Sequence, residues 1–147
     1  MHDFVRRSLA GIAAAALVAL AVDSAAWAQS GLITRAERLP PITLGSGKPL
    51  AEAPYELEAG KYYRLEIEAD GTAELAIGGP EFFRNVWVNE IVIEDIEIRP
   101  MGGIDSIEFD AAGTATITFI PIRPGRFELR IPGTTGETQA AIFNVGG

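Results

Sequence analysis

The chain has 147 residues, 48% of them hydrophobic, and sets 12 Lys and Arg against 20 Asp and Glu for a formal net charge of −8 at pH 7. It has no cysteine and its single histidine is His2, which excludes disulfide scaffolding, Cys or His nucleophiles, Ser-His-Asp triads and thiolate or imidazole metal ligation from the body of the chain. The acidic balance repels nucleic acid and anionic lipid, and suits either plain solubility or a basic partner.

Arg6 and Arg7 precede an apolar run of about 14 residues, and Ala26-Trp27-Ala28 supplies a small-residue cleavage site. Residues 1–28 therefore read as a secretory signal peptide. The run is short of the roughly 20 residues a bilayer-spanning helix needs, and Asp23 interrupts it. The Arg pair also fits a twin-arginine signal, with the general secretory route as the simpler reading. Cleavage predicts an exported, periplasmic protein of one domain. The two Arg and two Asp removed cancel, so the net charge of −8 is unchanged.

Residues 29–39 read as a flexible start, and the domain is expected over residues 40–147. Ile42-Thr43-Leu44 is a short strand between Pro40-Pro41 and the turn signal Gly45-Ser46-Gly47. Tyr55-Glu56-Leu57-Glu58 alternates, Ala59-Gly60-Lys61 turns, and residues 62–68 alternate again with Tyr63, Leu65 and Ile67 on one face. Asp70-Gly71 is a tight-turn signal leading into residues 72–77, with Ala73, Leu75 and Ile77 inward, so a hairpin across that turn is expected.

Gly78-Gly79-Pro80 breaks the strand before residues 81–88, the densest aromatic cluster, which fit a core strand or a pocket rim. Ile91-Val92-Ile93 is apolar on both faces, and residues 94–98 alternate with the opposite parity, which predicts a bulge or break near Glu94. Residues 100–103 form a loop, 106–109 a strand and 111–113 a turn. Residues 114–145 then give a strand, the Pro124-Gly125 turn, a second strand, a short loop and a closing strand. No sustained helical period occurs after residue 28, so an all-β sandwich of about eight strands is predicted.

In residues 116–145 the order Phe119-Ile120-Pro121, Pro124-Gly125, Phe127-Glu128-Leu129 and Ile131-Pro132-Gly133-Thr134 before a final strand resembles the cupredoxins, small copper-carrying Greek-key β-sandwiches. The resemblance extends loosely back to residue 40. It implies that Leu129 stands where the family has its Cys ligand, Thr134 at the downstream His, Gln139 near the Met and Arg84 at the upstream His. Type 1 copper needs two imidazoles and a thiolate, commonly with a weak axial thioether, so the resemblance implies the fold without that cofactor. A buried Leu129 would contribute about 1.5–3 kcal/mol of apolar transfer energy in place of the metal. Glu137 is the candidate partner of Arg84.

Three functional readings follow. The first is a metal-free binding or accessory module that recognises a protein or small ligand through the loops at the former copper end, with Arg84, Trp87, Thr134 and Gln139 as contact residues. The second is periplasmic copper handling or electron transfer through a non-standard site, and the third is a carboxylate-dependent enzyme. Glu90, Glu94, Asp95 and Glu97 lack the spacing of a calcium loop and read as a solvated strand face. Phe82, Phe83, Trp87, Tyr62 and Tyr63 could line an apolar or sugar-binding surface, although core packing explains most of them. Met101 alone makes no copper(I) site.

Overall fold

The computed structural model describes residues 35–147, so the expected signal peptide and residues 29–34 lie outside the described residues. Eleven strands and one short helix follow one another: β1 Glu37–Arg38, β2 Ile42–Leu44, β3 Tyr55–Glu58, β4 Tyr63–Ala69, β5 Leu75–Gly78, α1 Pro80–Arg84, β6 Val86–Ile93, β7 Ile96–Ile98, β8 Ser106–Phe109, β9 Gly113–Pro121, β10 Gly125–Arg130 and β11 Ala140–Gly146. Eight of the strands have four or more residues, in keeping with the sequence reading; β1, β2 and β7 are edge pieces of two or three.

The strands form two sheets. In the first the order is β1-β4-β9-β6-β7, with β2 also on β4; in the second it is β3-β11-β10-β5-β8. β1 and β2 pair in parallel with successive halves of β4. Pro40 and Pro41 interrupt them, because proline has no N–H to give a ladder and is tolerated only at such an edge. The stretch read as a flexible start up to residue 39 is thus, from Glu37, part of the sheet.

Alternation decides which side chains meet between the layers. β4 turns Tyr63, Leu65 and Ile67 inward, β9 contributes Ala115, Ile117 and Phe119, β10 Phe127 and Leu129, and β11 Ala141, Phe143 and Val145, all buried. At the centre Phe82 packs on Phe143 at 4.5 Å and edge-on to Phe119 at 5.3 Å between ring centroids. Tyr55 stacks on Phe143 at 4.7 Å, and its hydroxyl donates to the Pro40 carbonyl. Burial without a charged partner pushes this phenol up to about 12.

Two local expectations are corrected. β4 and β5 do not form a hairpin, since β4 pairs with β9 and β5 with β8 and β10 in the other sheet. The Asp70-Gly71 turn instead carries the chain between layers: Asp70 Oδ1 accepts from the Thr72 N–H and hydroxyl, and Lys48 Nζ lies 2.8 Å from Oδ2. With the crossing, β5 starts only at Leu75 and Ala73 is exposed. The aromatic run at 81–85 is a helical turn rather than a strand. Of the bulge or break expected near Glu94, the break is what forms: β6 ends at Ile93 and pairs antiparallel with β7 across a two-residue turn, with Ile93 opposite Ile96 and Glu94 at φ 53°. The bulge lies elsewhere in β6, between Val88 and Glu90.

Candidate functional site around helix α1

Helix α1 joins the two sheets, leaving β5 in one and entering β6 in the other. Its sequence explains so short a helix. Pro80 fits the first turn, Glu81 and Arg84 suit the positive N-terminal and negative C-terminal ends, and Asn85 closes it with its N–H on the Phe82 carbonyl and Nδ2 on that of Glu81. The Asn85 carbonyl also accepts from the Ile122 N–H, fixing the helix to the turn before β10. On the inner side Gly79 allows close approach to β10, for a Cβ there would fall 2.8 Å from Leu129 Cδ2 and nearer still to the Glu128 carbonyl.

Two recesses flank α1. One, of about 490 Å³, lies between Gly78–Glu81, Asp105, Ser106, Glu128, Arg130 and Pro132. The other, of about 460 Å³, is lined by Phe83, Arg84, Val86, Trp87, Val88 and residues 100–104. The 99–105 segment, which joins β7 to β8, thus forms a wall of both. Trp87 is 44% exposed and Met101 fully so, giving the second recess an apolar rim.

The first recess carries the stronger electrostatics. Glu128 and Arg130, two apart on β10, share its outer face and form a fork, with Nε to Oε1 at 3.0 Å and Nη2 to Oε2 at 3.1 Å. The guanidinium holds the Glu128 carboxyl below the usual carboxylate range, and the carboxylate holds Arg130 above its own. Arg130 also donates to the Gly136 carbonyl at 2.8 Å. Asp105 and Glu81 complete an acidic wall.

The predicted contact residues divide. Arg84 and Trp87 line the second recess together, whereas Thr134 and Gln139 line neither. Thr134 Oγ1 donates to the Ile131 carbonyl at 2.6 Å, and Gln139 Oε1 accepts from the Gly136 N–H at 3.2 Å, so both stitch the loop between β10 and β11. Arg84 pairs with Glu81 at 2.8 Å and not with Glu137, since a neighbour one helical turn back is in reach by construction. The aromatics divide too: Phe82, Phe83 and Tyr63 are core, while the Tyr62 hydroxyl accepts from Asn89 Nδ2 on the outer sheet face.

Sequence reasoning missed Glu128, Arg130, Asp105 and Glu81. The i,i+2 charge pair Glu128–Arg130 around an inward Leu129 was a readable sign, as was the Pro-Glu start of α1; the place of Asp105 depends on long-range pairing and had none.

No protein-family model matches the sequence, and no curated protein matches it. Solved structures do match in shape. The copper nitrite reductase of Nitrosomonas europaea superposes with a TM-score of 0.52 at 14% identity over 66% of this chain and 34% of the other. A multicopper oxidase of Campylobacter jejuni, a metallo-oxidase, gives 0.52 at 6% identity over 76% and 30%. The McoA multicopper oxidase of the hyperthermophile Aquifex aeolicus gives 0.51 at 14% over 76% and 30%.

The fold is cupredoxin-like.

The chain spans about a third of the length of these structures, and at such identities the likeness concerns the fold alone. The cupredoxin copper site does not fit the residues present. Leu129 is fully buried, Arg84, Thr134 and Gln139 are engaged as above, and among the described residues there is no His, no Cys and no group of three His, Cys, Asp or Glu placed to hold a metal. The acidic residues of β6 and β7 spread over two strands and a turn. Among the described residues no helix is long and apolar enough to cross a membrane.

Proposed function

We propose that this protein is an exported, metal-free cupredoxin-like module that recognises a protein or small ligand through the recesses flanking α1. The observation that carries the reading is Leu129: an apolar, fully buried side chain stands at the position the resemblance gives to the copper thiolate, between Glu128 and Arg130 of the first recess and against Gly79 at the start of α1. A side chain that stabilises the core without a metal frees the surrounding loops from holding a ligand sphere. Trp87 offers a rigid amphipathic face of the kind that dominates binding energy at interfaces, with Arg84 next to it as a donor whose exposed Glu81 pair is weak enough to exchange. Thr134 and Gln139 serve by shaping the adjoining loop.

The test has two arms. Copper(II) and copper(I) titrations against a competing chelator are expected to show no stoichiometric tight binding, and such binding would overturn the metal-free reading. In affinity capture from periplasmic extract, a partner held by the natural protein is expected to be lost with Trp87→Ala combined with Arg84→Ala. Its retention would refute the α1 site. Export is checked by the mature N-terminus, expected at Gln29.

A further inference from the structure

The β6–β7 hairpin carries its four isoleucines on one face, with Val92 opposite Glu97 on the other. Opposed residues in an antiparallel pair point the same way, so the pairs Ile91–Ile98 and Ile93–Ile96 share one side of the first sheet. That side is the inner one, because Ile91 is buried and faces Ile117 and Ile93 faces Ala115 on β9, both fully buried. The inner face therefore continues past the cover of the second sheet, and Ile93, Ile96 and Ile98 form a ledge at its open margin, with Ile96 63% exposed. β7 is also the last strand of its sheet. Hydrogen-bonded and non-bonded pairs alternate from the pair that closes the turn, so the N–H and C=O of Glu97 point away from β6 to the free edge.

Sheets usually blunt such an edge with charged side chains, Pro, a very short strand or cover, and β7 is short, three residues before Arg99-Pro100. Here the surroundings are acidic: Glu90, Glu94, Asp95 and Glu97 are set against Arg99 alone, which is shared between Glu90 at 3.3 Å and Glu97 at 3.4 Å. We propose that the open β7 edge takes up an extended segment of another protein, with apolar and basic side chains in alternation, as an added strand. Its apolar side chains would rest on the isoleucine ledge while its Lys or Arg side chains stand on the outer face beside Glu97 and Glu90. The free groups of Glu97 supply the main-chain bonds. A second copy of this chain is a poor occupant, since it would bring together two molecules of net charge −8, each with this acidic hairpin. The surface is separate from the recesses flanking α1, and its failure would leave the proposal for those untouched.

The test is a titration of the isotope-labelled protein with the synthetic peptide acetyl-Lys-Val-Lys-Ile-Lys-Val-Lys-amide at low salt. Expected are saturable shifts and slowed exchange at the Glu97 and Arg99 amides, no effect from the same peptide with Glu in place of Lys, and weakening by added salt. Glu97→Lys should weaken binding about tenfold, and Ile96→Ser with Ile98→Ser, at 63% and 43% exposed positions, should do likewise while the far-ultraviolet circular dichroism stays that of the folded natural protein. Absence of saturable binding, equal binding of the acidic peptide, or shifts confined to α1 would overturn the proposal. So would sedimentation that shows a dimer broken by Glu97→Lys.

Discussion

Replacing Leu129 by Ala tests whether the core has taken over the stabilising role that the resemblance gives to a metal. Leu129 is fully buried on β10, and its Cδ2 lies 2.8 Å from where a Cβ on Gly79 would stand. The walls of any cavity are thus the backbone of α1 and two sheets, which relax little. Buried Leu→Ala changes cost about 2–5 kcal/mol, rising with the volume left empty, and this site belongs in the upper half of that range. With an m-value of about 1–3 kcal/mol/M in urea, the midpoint should fall by roughly 1–5 M at unchanged m. Urea unfolding followed by far-ultraviolet circular dichroism reads this directly. The volume-conserving Leu129→Met should cost less than about 1.5 kcal/mol. An Ala variant within about 0.5 kcal/mol of the natural protein, below any cost in that range, would show that Leu129 is not a core residue and would remove the argument for a metal-free staple.

Three further outcomes are expected. The Tyr55 phenol, raised to about 12 from an ordinary 10.0, keeps its proton longer folded than unfolded; its contribution is complete below pH 10 and is lost as pH climbs toward 12. Tyr55→Phe should flatten that alkaline slope and cost about 1 kcal/mol for the hydrogen bond to Pro40, and an unchanged slope would refute the assignment. Asp70 works in the other direction: the Lys48 ammonium and the Thr72 hydroxyl and N–H hold its carboxyl well below the usual range, so its contribution is present above about pH 3.8, the ordinary value, and fades as pH falls further. Asp70→Asn should be less stable than the natural protein at pH 6 and approach it in strong acid; a gap that stays constant would contradict this. Glu94, at φ 53° in the β6–β7 turn, occupies a conformation that costs a side-chain-bearing residue about 1–2 kcal/mol. Glu94→Gly should therefore raise the thermal midpoint, and a fall would show that the carboxylate has a role in the turn.

The strands with regular alternation were legible in the sequence: Tyr55 and Leu57, Tyr63 to Ile67, Ala115 to Phe119, and Phe127 with Leu129 all point where a period of two sends them. So was the excluded chemistry, because a residue type missing from the chain is missing from every site it can build. Five residues of α1 are too few to show a helical period, although Pro80, Glu81 and Arg84 carried its end signals.

Tertiary structure alone decided which strands are neighbours. Period two fixes the face of a side chain but not the identity of the strand beside it. The Asp70-Gly71 turn could have closed a hairpin, but the long β9 strand pairs with all of β4 and leaves β5 to the other sheet. That crossing sets α1 between the layers, buries Phe82 and Phe83 and exposes Trp87. It likewise decides that Ile96 and Ile98, apolar and inward by parity, end at an uncovered margin. Parity is a local property of the backbone, whereas cover depends on how far the opposite sheet extends.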